Sequence, residues 1–280
     1  MRRTRILTTL VVVGTLGLTL VAVAMAATIT GTDRGERLRG TNAGDTINGN
    51  GGRDRIHAFA GDDIVSGGTG GDFIRAGSGV DNVSGDSGWD LILGGDGNDA
   101  ALNGGDGRDR VHGGDGDDNL DGGAHRDLLW GGNGTDTTNG GDGNDRIAGG
   151  NGNDTSNGGA GNDLIFANLG VDTTDGGPGN DDLWALARGD VNKDVPLDTT
   201  ADTLIGGEGD DRFHLRDGEQ DVVDCGPGTD LALLDEVDRI ADATAENPNG
   251  SCEDVRRAKP GSKDRKQGNS QNHDHGSKSD

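Results

Sequence analysis

Residues 31–184 divide into units of nine: GTDRGERLR, GTNAGDTIN, GNGGRDRIH and so on, with a single ten-residue unit, GGDGNDAALN, at 94–103. A unit this short can supply one turn and one short strand. It cannot bury an apolar face alone, so neighbouring units must stack into a solenoid. Composition points the same way. Hydrophobic residues make up 29% of the chain and aromatics 2%, too little for an ordinary globular core, while 56 of 280 residues are Gly. Gly does not recur every third residue, which excludes collagen. The strict placement of the apolar residues argues against simple disorder.

Three positions of the unit carry the physics. The sixth is Asp: Asp45, Asp54, Asp63, Asp72, Asp81, Asp90 and Asp99, then every ninth residue from Asp109 to Asp181, including Asp118, Asp136, Asp145, Asp154, Asp163 and Asp172. The first, second and fourth are mostly Gly. The eighth is usually aliphatic, as in Leu38, Ile47, Ile56, Val111, Leu120 and Ile165. Glycines permit a turn with positive φ whose carbonyl oxygens can point inward. Asp adds a carboxylate at the end of the turn. After it comes a strand with position eight facing in and positions seven and nine facing out. Stacked turns bring oxygens from neighbouring coils around one gap. Such an all-oxygen, flexible, high-coordination cage suits Ca²⁺ better than Mg²⁺ or Zn²⁺.

With these residues in view, the chain resembles the hemolysin-type, repeats-in-toxin (RTX) calcium-binding proteins, whose unit is G-G-x-G-x-D-x-U-x. The resemblance implies an all-β, right-handed parallel β-roll with two units per coil, one strand in each of two sheets, and calcium along both edges. The ligands implied are the repeat aspartates, with Asp202 and Asp211 after the interruption, and turn glycines of the full matches: Gly104, Gly107, Gly113, Gly116, Gly140, Gly143, Gly149 and Gly152. Units starting at Gly158, Gly176 and Gly206 also match in full. Departures should give weak or lost sites: Glu36 in place of the first Asp, His125 at a turn Gly beside Asp127, and Ala58, Ala76 and Ala167 in place of a first Gly. Relatives often use a C-terminal export signal and carry a catalytic domain. This chain has a leader at its N-terminus instead and reads as a stand-alone bacterial repeat protein.

The leader is 1–26. Arg2, Arg3 and Arg5 precede an apolar run, and small-x-small cleavage patterns end at Ala24 and Ala26. Export, an extracellular location and no membrane span after cleavage are expected. The roll is assigned to 31–184, an insertion loop to 185–205, the last repeats to 206–224, a cap to 225–255 and a disordered tail to 256–280. In the insertion, Asp190, Asn192 and Asp194 look like the start of an EF-hand loop, but that loop's Gly and terminal Glu are missing. Cys225 and Cys252, an even pair in an exported chain, read as a disulfide fastening the cap over the last coil.

The formal net charge of −25 argues against a nucleic-acid partner. No enzyme site emerges. Gly85-Asp86-Ser87-Gly88 resembles a serine-protease segment, yet the repeat frame accounts for it as turn positions. His57, His112 and His214 all fall at position nine, facing solvent. Two surface readings follow from the 18-residue coil. Thr138, Ser156 and Thr174 at position eight form a hydroxyl ladder that either orders water, as an adhesin or ice-binding face would, or packs as a hydrogen-bonded row. Trp130, Phe166 and Trp184 at position nine, with Ala148 between the first two, form an apolar row suited to self-association or a glycan. The leading function is a non-enzymatic, secreted calcium-binding protein that folds on taking up several ions.

Overall fold

A computed structural model describes residues 25–185, 200–244, 247 and 249–258. The expected leader, apart from its last two residues, lies outside this set. So do the Asp190–Asp194 motif and almost all of the tail. The described chain is a parallel β-solenoid without helix. Strands alternate between two twelve-stranded sheets. The first sheet starts at Thr28–Thr30 and the second at Arg37–Arg39, and the chain returns to the first at Thr46–Asn48.

Pairing is parallel and offset by one coil. In the second sheet Val111 stands beside Leu129, Leu129 beside Ile147, Ile147 beside Ile165 and Ile165 beside Leu183. Each of these side chains is buried. The nine-residue period therefore places one aliphatic group per unit in a file between the sheets, where it leaves water and packs on its counterparts above and below.

The strands are longer than the sequence suggests. Arg110–Asp115 covers positions seven to nine and then one to three of the next unit, with positions eight and one both facing inward. A glycine at position one lets the sheets approach closely. Ala58, Ala76 and Ala167 occupy that position fully within the core. Their effect is on core filling, and the aspartates of the same units keep the positions of their neighbours.

Two irregularities are absorbed without loss of register. In the ten-residue unit Val83 pairs with Leu102, so the extra residue lies before Leu102, which is the buried core residue of that unit. At the insertion Thr174 pairs with Leu204 and Leu183 with Phe213. Asp202 is already buried and strand Thr203–Glu208 has begun, so the repeat resumes inside the span expected to be loop.

The segment expected to lie over the open end instead continues both sheets. Leu231–Asp235 pairs with Arg212–Leu215, Arg239–Ile240 with Val222–Asp224, and Asp254–Ala258 with Leu231–Asp235. Cys225 and Cys252 are disulfide-bonded within this part, 27 residues apart in sequence. The final strand is an edge, and its charged side chains oppose further strand addition. The Arg257 guanidinium donates to the carbonyls of Asp235 at 3.0 Å and Asp238 at 3.1 Å.

The hydroxyl ladder is not a surface. Thr138, Ser156 and Thr174 are buried between the sheets, and the Thr138 hydroxyl donates to Ser156 Oγ at 2.9 Å. Inward orientation at position eight removes them from any contact with ice.

Candidate calcium sites

The turn begins at position two and closes at position six. Positions two and four take positive φ, as at Gly114 (133°) and Gly116 (129°). A side chain at position four would run into the position-four carbonyl of the coil before, as Gly116 would meet that of Gly97. Past the first two units, five departures from Gly at these positions still hold this conformation. Asn50, Phe59, Asp86 and Asn168 adopt it at position two, and His125 adopts it at position four with φ 81°. The turn at His125 is thus intact, contrary to the sequence-based expectation. Packing of the coils on either side imposes a conformation that costs a non-glycine residue about 1–3 kcal/mol.

The position-six aspartates form two unbroken files, one along each edge of the sheets. Each backbone N–H donates to Oδ1 of the aspartate one coil later. Along one edge Asp99 donates to Asp118 at 2.8 Å, Asp118 to Asp136 at 2.8 Å and Asp136 to Asp154 at 2.9 Å. Along the other Asp90 donates to Asp109 at 2.8 Å, Asp109 to Asp127 at 2.6 Å and Asp127 to Asp145 at 2.7 Å. The files carry all the expected aspartates, from Asp45 and Asp54 through Asp202 and Asp211. Asp127, beside His125, belongs fully to its file. Asp221, Asp230 and Asp238 extend the two files toward the C-terminus, and of these Asp221 and Asp238 fall outside the nine-residue frame. Glu36 begins one file by donating to Asp54 at 2.7 Å, and Glu253 ends it by accepting from Asp230 at 2.9 Å. Asp230 is the sixth residue of a weak unit, CGPGTDLAL, that begins at Cys225. Asp221 and Asp238 were hidden because Gln220 and the shortened turn before Asp238 break the nine-residue count. Buried Val223 and Ile240, each two residues after an aspartate, were the available signal.

The second carboxylate oxygen is what marks a cation site. Oδ2 of Asp54, Asp63, Asp90, Asp109, Asp118, Asp127, Asp145 and Asp163 is buried and accepts no hydrogen bond. A buried carboxylate oxygen left in that state is costly. A Cβ placed on Gly104 would lie 2.8 Å from Asp109 Oδ2 and 2.6 Å from the Gly122 carbonyl. At Gly122 it would lie 2.7 Å from Asp127 Oδ2 and 2.5 Å from the Gly140 carbonyl. Carboxylate and carbonyl oxygens from successive coils thus crowd the same small space beside position one. Among the described residues no three Asp, Glu, His or Cys side chains converge on a point. A cation here is held by carbonyls with one or two carboxylates, a donor set that fits a hard ion of high coordination number.

Burial has a large electrostatic effect on these groups. It pushes Asp63, Asp118, Asp136, Asp145 and Asp154 up to about 6. Asp90, Asp99 and Asp181 rise to about 7 and Asp127 to about 8. In each case desolvation is the main cause. The ladder hydrogen bond opposes it, and for most of them neighbouring carboxylates of the file add to it. At neutral pH the files are therefore poorly tolerated as bare anions.

A family model for the RTX calcium-binding nonapeptide repeat matches residues 39–74, 66–100, 103–138, 112–147, 130–163, 148–183 and 198–219. The chain belongs to this family. RTX repeats bind calcium, many ions per domain. The RTX match stops at residue 219, whereas the aspartate files continue to Asp238 and Glu253. A comparison with curated proteins gave no match.

Proposed function

We propose that this RTX protein is exported and that its roll folds on binding calcium in the extracellular space, serving as a non-catalytic structural or surface-interaction module. The carrying observation is the double file of buried carboxylates with unpartnered Oδ2 atoms beside stacked turn carbonyls. The ligands assigned are the ladder aspartates whose Oδ2 accepts no hydrogen bond, such as Asp54, Asp63, Asp109, Asp118 and Asp145, with carbonyls of the turn glycines, Gly104, Gly107, Gly113 and Gly116 among them. Without calcium, like charges in each file repel and the carboxylates stay desolvated. One buried aliphatic side chain per unit cannot offset this together with the ordering of nine residues. Binding and folding are then one process.

Export rests on the apolar leader with its basic start. The Ala27 N–H donates to Asp45 Oδ1, so residue 27 belongs to the roll and the leader ends before it. An affinity of roughly 10⁻⁴–10⁻³ M suits an extracellular module. The test is a calcium titration of the mature protein followed by far-UV circular dichroism and sedimentation. β-Structure and compaction should appear together with calcium and vanish with a chelator. A compact β-rich protein that ignores the chelator would contradict coupled folding.

A further inference from the structure

The outer faces of the two sheets differ in a way that the calcium files do not explain. On the first sheet the exposed positions carry neutral polar residues, such as Thr46, Asn48, Thr137 and Thr155. Among the described residues its outer rows hold no arginine before Arg239. The second sheet begins with four. Arg37 pairs with Arg55 in the position-seven row, and Arg39 and Arg75 flank His57 in the position-nine row. All four arginines are exposed, and none forms an ion pair with a carboxylate among the described residues. With His57 and Phe73 they line a groove of about 460 Å³. In a chain of formal charge −25, arginine has gathered on one face without counterions.

Farther along the same face Arg110, Arg146 and Arg212 continue the position-seven row. The neighbouring row carries the rings foreseen from sequence. His112 and Trp130 lie 5.7 Å apart, and Phe166 and Trp184 lie 6.2 Å apart. Adjacent strands are about 4.8 Å apart, so the arginines of the position-seven row recur at one to three strand spacings, with Phe73, Leu91, Leu128, Leu164 and the acidic Asp182 between them. A partner with recurring anionic groups gains from each step without new contacts having to be invented. Guanidinium groups hold carboxylate or sulfate through paired hydrogen bonds, and rings accept the apolar faces of sugars.

Width decides among polyanions. A six-residue strand is about 20 Å long. Beside the groove one margin exposes Arg34 and Arg53, and along the coils that follow the turns at both ends of the strands expose acids, including Asp62, Asp96, Asp106 and Asp117. A single extended chain fits between these acidic margins, whereas a bilayer or a nucleic-acid duplex would press against them.

We infer that the outer face of the second sheet binds a linear acidic polysaccharide, carboxylated or sulfated, laid along the solenoid axis. Its anionic groups meet Arg37, Arg39, Arg55 and Arg75, and its sugar faces meet Trp130 and Phe166.

The test uses the full mature chain in saturating calcium, with circular dichroism confirming the fold, so that failure of calcium-coupled folding is distinguished from failure of this surface. Chondroitin sulfate oligosaccharides, uncharged dextran, phosphatidylserine-containing vesicles and duplex DNA are titrated calorimetrically. Chondroitin sulfate should bind, more weakly at higher salt, and dextran should not. The variant R39S/R55S/R75S should bind at least about tenfold more weakly, the loss expected from about 1.4 kcal/mol, with its calcium midpoint unchanged. If the triple variant folds poorly, the single variant R55Q should show a smaller loss in the same direction. W130S should weaken binding while leaving the salt dependence in place. The inference is overturned if the folded protein ignores chondroitin sulfate or if the arginine variants bind it as well as the parent does. It is equally overturned if vesicles or DNA bind more tightly through the same arginines, or if those substitutions instead abolish a dimer seen by sedimentation.

Discussion

Replacing Asp127 tests whether the solenoid or the local turn governs a site. The repeat pattern makes Asp127 a poor ligand because His125 stands where a turn glycine belongs. The structure gives it the same place as Asp145. Asp127 Oδ1 accepts the Asp109 N–H at 2.6 Å, and Asp145 Oδ1 accepts the Asp127 N–H at 2.7 Å. Each side chain is buried and keeps an unpartnered Oδ2. Substitution by Ala removes in either case one hydrogen bond to a charged acceptor, worth about 1.5–3 kcal/mol, and leaves a buried N–H behind. That corresponds to about a 10–100-fold loss in the folding equilibrium at fixed calcium. Asp127→Asn separates the two roles of the carboxylate, since Oδ1 can still accept the ladder bond while the anionic ligand is gone. Urea unfolding in saturating calcium should therefore show Asp127→Ala and Asp145→Ala destabilised alike. Asp127→Asn should fall between Asp127→Ala and the parent, with a raised calcium midpoint. If Asp127→Ala costs less than about 0.5 kcal/mol while Asp145→Ala costs the full amount, turn sequence governs binding and the reasoning from the files is wrong.

Acid should partly replace calcium. Burial raises the folded-state values of Asp63 to about 6, Asp99 to about 7 and Asp127 to about 8, from about 3.9 in an unfolded chain. A raised value stabilises the metal-free fold fully below the unfolded value, and that stabilisation is lost as pH climbs through 6 to 8. In chelator, β-structure measured by circular dichroism should be greater at pH 5 than at pH 8; equal signals would rule this out. Protons compete for the same oxygens, so the calcium midpoint should rise as pH falls from 8 to 6. Reducing Cys225–Cys252, which closes a loop of 27 residues, should cost about 3 kcal/mol. Because solenoid coils interact with their neighbours, the loss should stay near the C-terminus. Hydrogen exchange should quicken in 222–258 while 31–184 keeps its protection in calcium, and uniform loss of protection would refute local coupling.

A period of nine, with Asp at six and an aliphatic residue at eight, determined by itself that the units stack, that oxygen-rich turns line the edges and that one buried file runs between two sheets. These are local facts repeated along the chain, so the sequence displays them directly. The tertiary structure decided what depends on neighbouring coils. Strands run on through position one because that residue, like position eight, faces inward and lies beside its counterpart one coil away, which no single unit reveals. His125 holds a left-handed turn because the coils above and below require it. Asp221 and Asp238 join the files because parallel pairing restores register in space after the count is lost in sequence. The arginines of the second sheet gather on one face because alternate units enter alternate sheets, bringing residues 18 apart in sequence to within one strand spacing of each other.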